Sequence, residues 1–328
     1  MRNKKNIGYL RPDIAYPTLG LFFTATTLHL VMVLLGNGFI LPISAFDYNY
    51  EYLLLYHIAS TFLGILCIIF STISCYTQFT VAHDAIHRSI SRKYPFFNDI
   101  IGFTAQIWLG PTSSWTALKH NHLMHHAHTN NAEFDPDHWC SLKGPGGKWL
   151  TPLRWMFVDI SYIHFYVFYL IRRRSWWIRI KNISYDIVKL CIIFTLYRWG
   201  YFPLLLLYWI LPSRIALFIL AYAFDFLPHY PHETTIKENK YKTTAYIYTP
   251  WIFRWLLSIL IFSQNYHIAH HLVPQVPFYR YKNVWYLLHK DLLEEGIIQR
   301  HILPKLLEEK IVKIFGDDEY DLLLTKKN

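Results

Sequence analysis

The chain has 328 residues, 53% hydrophobic and 18% aromatic but only 16% charged, whereas soluble domains carry about 25% charged residues; its apolar residues come in blocks, which argues against an ordinary soluble protein and for a membrane protein. The formal net charge is +10 with histidines neutral; the basic residues flank apolar blocks instead of forming one stripe, so nucleic acid is not an expected partner and positive-inside topology is. Cys67, Cys75, Cys140 and Cys191 form no C-x-x-C pair, which implies neither a disulfide framework nor a cysteine metal site.

The N-terminal stretch "MRNKKNIGYLRP" is basic, and an apolar block from Thr18 to Leu41 follows without a cleavage pattern. This reads as a retained anchor, long enough for a hydrocarbon core of about 30 Å. The loop "GNGFILPISAFDYNYE" has no Lys or Arg, and a second block runs from near Tyr52 to Tyr76. Together they predict a hairpin with both ends cytoplasmic. No proline interrupts the second block before Pro95. A helix continued to His87 would be about 54 Å long at 1.5 Å per residue, so "HDAIH" (83–87) would stand in a cap above the membrane.

Residues 96–116 are broken by "GPTSSW" and read as an interfacial or re-entrant piece; Lys119 to Lys148 is polar and turn-rich. Residues 155–174 are apolar but carry Asp159 and His164, and an Arg cluster precedes Trp176 and Trp177; a helix lying in the interface is expected. Residues 184–228 are too long for one span and predict two, joined near "LPSR". The tail after Pro277 is charged and amphipathic, which predicts a helical cap. The predicted fold is therefore all-α and multi-pass. It has about four transmembrane helices in two hairpins, plus interfacial helices and a cytoplasmic helical cap. The expected division is a basic cytoplasmic N-terminus (1–17), a membrane domain (18–282) and an amphipathic tail (283–328). Both hairpins return the chain to one face, which lets the polar clusters meet.

Three histidine clusters follow these spans. His83 and His87 are four apart, so both leave one helix face. In "HNHLMHHAH", His122, His125 and His126 have i, i+3, i+4 spacing, with His120 and His128 as extras. His267, His270 and His271 repeat that spacing directly behind "PWIFRWLLSILIF". Uncompensated polar groups at a membrane boundary are costly, so the combined pattern points to metal. Single histidines such as His29, His57, His164, His289 and His301 read as structural. Imidazole-rich sites suit Zn, Cu, Fe or Ni. Eight or more ligands imply two metals, and the absence of H-E-x-x-H favours redox iron over hydrolytic zinc.

H-x(3)-H, H-x(2)-H-H and a late H-x(2)-H-H together resemble the integral-membrane fatty acid desaturase and hydroxylase superfamily, over about 60% of the chain. Within it, "HHAHTNNAEFDPDHW" (125–139), "FDFLPHYPH" (224–232) and "NYHIAHHLVPQVPFYRY" (265–281) are similar to the cyanobacterial-type β-carotene hydroxylase branch. The resemblance implies a non-haem centre of two irons, with O2 as co-substrate and electrons from a separate ferredoxin or cytochrome b5. The substrate it implies is an apolar lipid drawn from the membrane. Carried over by motif, the ligands are His83, His87, His122, His125, His126, His267, His270 and His271. His229 and His232 stand where desaturases place an additional Asn/His pair; Asp84, Asp135, Asp137 and Asn265 are candidates to orient the imidazoles. Ring hydroxylation is the first expectation and fatty acyl desaturation the second. A membrane metal transporter is a remote third, because its ligands should sit near the bilayer midplane.

Overall fold

The computed structural model describes residues 7–37, 50–112, 114–173 and 176–324. The expected first loop, and the end of the Arg cluster, lie outside these residues. Three helices among those described are long and apolar enough to cross a membrane: Tyr16–Gly36, Ala59–Ile86 and Phe202–His229. We label the first α1. The second is the inner part of α2 (Tyr50–Ile86), whose 37 residues make it about 55 Å long. α2 is thus longer than a hydrocarbon core of about 30 Å, with His83 in its last turn and His87 just beyond its end. Phe62, Ile65 and Ile69 on α2 stay exposed, as lipid-facing side chains do.

α3 (Pro95–Ile107) is too short to span, and α4 (Trp115–His128) starts at Ser114, whose side chain accepts from the Ala117 N–H. α5 (Thr151–Met156) and α6 (Val158–Arg173) follow, then α7 (Trp176–Arg198). α7 has the length of a span but carries Arg179, Asp186 and Lys189, which keeps it out of the three apolar helices.

The second hairpin turns elsewhere than expected. The break falls at Gly200, which adopts a φ of 82, a conformation that suits glycine. There the Tyr201 N–H bonds back to the Leu196 carbonyl, closing α7 in the manner of a Schellman cap. "LPSR" lies inside the next helix, α8 (Phe202–His229). α8 absorbs Pro212 through a π-helical turn at Leu206–Ile210. Pro212 has no N–H for the Tyr208 carbonyl four residues back; buried His29 fills the gap, with Nε2 2.8 Å from that oxygen. His29 is thus structural, as expected.

Beyond α8 the chain builds the cap. β1 (Ala245–Tyr248) is followed by α9 (Trp251–Leu260), α10 (His267–Leu272) and α11 (Tyr281–Glu294); then come β2 (Ile298–His301), α12 (Lys305–Phe315) and α13 (Asp318–Leu324). β1 and β2 pair in parallel, Ala245 opposite Ile298 and Tyr248 opposite His301, a pairing the sequence reading did not anticipate. The cap core is aromatic: Tyr246 stacks on Trp285 at 4.0 Å between centroids, beside Tyr266 and Tyr281. Beneath it Arg254 of α9 pairs with Asp317, and its Nη1 lies 2.6 Å from Glu319. Glu319 also accepts from Tyr266 at 3.0 Å and Tyr286 at 2.6 Å. Buried charges persist only when so paired and hydrogen-bonded, and this network fixes the α9–α10 segment that presents the third histidine cluster.

Candidate metal centre

The C-terminal end of α2, the middle of α4, the end of α8 and the whole of α10 converge. His83, His87, His122 and His270 form one group, and His125, His229, His267 and His271 a second; within each group one nitrogen per residue lies within 4.8 Å of the others. In the first, His83 Nε2 is 3.1 Å from His270 Nε2, and His87 Nε2 2.8 Å from His122 Nε2. In the second, His267 Nε2 is 3.0 Å from both His229 and His271, and His125 is 3.3 Å from His271. Ligand nitrogens about 2.0–2.1 Å from a metal stand roughly 2.9–3.4 Å from one another, so the donor spacing fits one ion per group. Two facing Nε2 atoms can share an N–H, but a ring whose only proton is committed to an acceptor at Nδ1 presents a bare lone pair at Nε2.

His126 joins the edge of the first group, with Nε2 3.2 Å from His122 and 2.9 Å from His270. His232 joins neither. It is buried, with its ring centroid 6.1 Å from that of His229 and 6.3 Å from that of His138.

The outer nitrogens decide which tautomer each ring holds. His125 Nδ1 lies 2.9 Å from Asp135 and 3.3 Å from Asp137, and Asp137 accepts from the Tyr162 hydroxyl at 2.8 Å. His267 Nδ1 meets Gln264, and His270 Nδ1 is 2.9 Å from the Tyr281 hydroxyl. These contacts suit Nδ1–H donors and leave Nε2 free to ligate. Two expected orienting residues do other work. Asp84 accepts from Thr18 at 2.8 Å and the Phe278 N–H at 3.2 Å, tying α1, α2 and the start of the cap together. Asn265 accepts from Ser258 at 3.1 Å. Gln264 and Tyr281 were missed: Gln264 stands three residues before His267, a readable signal, whereas Tyr281 reaches His270 through tertiary packing.

Burial, reinforced by neighbouring imidazoles, holds His122, His126, His267, His270 and His271 well below the ordinary histidine value. They stay neutral, as metal ligands must. Burial pushes His125 the same way, but the Asp135 and Asp137 carboxylates prevail and raise it to about 9. Without a metal that value keeps a proton on each His125 nitrogen; a cation bound at Nε2 would displace one of them, while Asp135 holds the other at Nδ1.

A fatty acid desaturase family profile matches residues 57–302. The chain belongs to the fatty acid desaturase family. Two curated relatives are β-carotene ketolases of Paracoccus. The one from strain PC1 is 30% identical over 222 residues, covering 68% of this chain and 79% of the relative. The second is 29% identical over 208 residues, covering 62% and 71%. A Δ8-(E)-sphingolipid desaturase of Kluyveromyces lactis is 47% identical over 58 residues, 17% of this chain and 10% of that protein. The chain is thus an integral-membrane, oxygen-dependent oxidoreductase acting on lipids. The relatives carry the name ketolase, where the sequence motifs favoured a hydroxylase.

Proposed function

We propose that this enzyme oxygenates the end ring of a β-carotene-type carotenoid, using two non-haem irons held by the two histidine groups. The observation that carries the reading is the convergence of eight Nε2 atoms in two groups, in a chain whose relatives are named for a carotenoid reaction. Hydroxylation balances as R–H plus O2, two electrons and two protons giving R–OH and water. Bound iron would supply O2 reduction and hydrogen abstraction from an unactivated C–H bond. The chain's own part is positional. Four helices hold the rings, while Asp135, Asp137, Gln264 and Tyr281 set their tautomers. Phe79 and Phe224 pack within 6.1 and 6.3 Å of the His83 ring and keep water from that side.

In this reading the electrons come from a separate ferredoxin or cytochrome b5. We place the histidines on the cytoplasmic face, where such a carrier can reach them; among them His126 and His271 are only partly buried. Ketone formation is a second reading, favoured by the relatives' names. Two hydroxylations of one carbon give a geminal diol that loses water. Expression in a β-carotene-accumulating host, with carotenoids and fatty acid methyl esters analysed together, tests the proposal. Hydroxylated or oxo carotenoids support it; unchanged carotenoids with new acyl double bonds sink it. His270→Ala should abolish product while leaving membrane insertion intact.

A further inference from the structure

The family profile ends at residue 302, so α12 (Lys305–Phe315) lies beyond the residues it matches. The two faces of α12 differ. Glu308 and Val312, four apart, face inward: buried Glu308 is 2.6 Å from His301 Nδ1, and Val312 packs against the aromatic core of the cap. Leu306, Lys310, Lys313 and Ile314, spaced three and four apart, share the opposite face. Ile314 is 73% exposed and Leu306 68%, against 51% for the lipid-facing Ile65 of α2. Beside Lys305, Lys310 and Lys313, α12 exposes one acid, Glu309.

This helix is fixed next to an apolar surface that starts at a membrane span. α9 exposes Trp251, Phe253, Trp255, Leu256, Ile259 and Leu260, while its one charged residue, Arg254, is buried. Its C-terminal end meets α2 inside the apolar span Ala59–Ile86, where the Tyr76 hydroxyl donates to the Leu260 carbonyl at 2.9 Å. Its N-terminal end meets both flanks of α12. The Ile302 N–H bonds the Tyr248 carbonyl at 3.1 Å, and the Trp251 N–H bonds Asp317 at 2.8 Å. Exposed Ile302, Phe315 and Trp251 are thereby brought to one end of α9. The apolar surface runs from α2 along α9 to α12, and an exposed patch of that extent marks an interface.

We infer that α12 is a C-terminal membrane anchor that lies on the leaflet surface and binds anionic phospholipid. Leu306 and Ile314 sit at the acyl boundary, and Lys305, Lys310 and Lys313 meet the headgroup phosphates. Basic residues joined to large apolar ones on one helix are the composition of interfacial helices. The lysine stems lie along the apolar surface while their ammonium groups reach outward. The occupant is the membrane and not a soluble protein, because this face continues the uncharged face of α9, which starts at a span. A lysine near an anionic leaflet strengthens binding about fivefold, so three favour docking by about a hundredfold. Docking of α12 is independent of the reaction catalysed.

The test uses the full-length chain with Cys191, the exposed cysteine, replaced by Ser. A nitroxide is attached at Ile314→Cys, at Ile259→Cys on α9, or at Lys237→Cys, which is exposed in the short helix Ile236–Asn239. Each protein is reconstituted into vesicles of phosphatidylcholine, or of equal parts phosphatidylcholine and phosphatidylglycerol. Collision of the label with a water-soluble nickel chelate reports its depth. Ile259 should be shielded about tenfold relative to Lys237 in both vesicles, and Ile314 about tenfold in the anionic ones only. Lys310→Glu with Lys313→Glu should return Ile314 to the Lys237 value. The two-lipid comparison needs no charge variant, so it decides even where that double variant misfolds. Ile314 as open to nickel as Lys237 in both vesicles, or shielded equally in both, would overturn the anchor. So would an Ile259 label open to nickel, or shielding of Ile314 that requires added cytosolic protein.

Discussion

Asp135 offers the sharpest test of the candidate centre. Its Oδ1 accepts from His125 Nδ1 at 2.9 Å and from the Asp137 N–H at 2.9 Å, and its Oδ2 accepts from the Asn130 N–H at 2.7 Å. Asp135→Asn leaves one accepting oxygen where there were two. If that oxygen keeps His125, the amide NH2 faces the Asn130 N–H, donor against donor. The substitution also removes the charge that outweighs burial at His125. Losing a partner that orients a ligand typically costs 10–100-fold in metal affinity, or about 1.4–2.7 kcal/mol. The loss should fall on the second group, since no first-group imidazole touches Asp135. Iron per chain measured along a chelator titration should thus drop from two to one at concentrations that leave the wild type at two. Asp84→Asn is the control: Asp84 is adjacent to His83 in sequence, yet its carboxylate bonds Thr18 and Phe278. Identical chelator midpoints for Asp135→Asn and wild type would refute the assignment of His125 as a ligand oriented by Asp135.

Tyr281→Phe removes the partner of His270 Nδ1 and should weaken iron retention in the first group, again by about 10–100-fold, read by the same titration. His229→Ala should release one iron and end turnover, whereas His232→Ala should keep both irons; equal metal loss in the two variants would mean that His232 ligates after all. Arg254→Met leaves Asp317 and Glu319 buried without their cation, and a drop of about 3–5 kcal/mol in stability is expected, seen as a lower melting temperature in detergent. Burial opposes the charge of Asp317, but Arg254 and the Tyr248 hydroxyl hold it below the usual aspartate value. Its contribution is therefore present above the unfolded aspartate value and fades as pH falls through the lower folded one; melts below about pH 4 should show that loss in wild type and less of it in Asp317→Asn. With a net charge of +10 and an acidic ferredoxin as donor, turnover should fall as ionic strength rises.

The histidine spacing was legible because metal chemistry constrains residue type and helical geometry constrains spacing. His83 and His87, or His267 and His271, share a face by helix periodicity alone. The second group also needed His229, which enters from the end of α8, and proximity to box histidines did not distinguish it from His232. The π-helical turn that carries Pro212 through α8 was illegible, because proline usually marks a boundary and here His29 meets the freed carbonyl from another helix. The same holds for Asp84: being beside a ligand in sequence says nothing of direction, and on a helix the next residue points about 100° away. The β1–β2 pair escaped because two four-residue strands separated by α9, α10 and α11 leave no local periodicity to read.

That strand pair also sets an order of assembly in time. β1 cannot find its neighbour, nor Arg254 its carboxylates, until the segment from Ile298 through Glu319 has left the ribosome. The three apolar spans and the first two histidine clusters all precede that segment in the chain. The third cluster lies between the two strands in sequence, so it is the last part of the cage to be braced. A chain stalled before Ile298 would hold every histidine of the two groups and still lack the buttress behind α10.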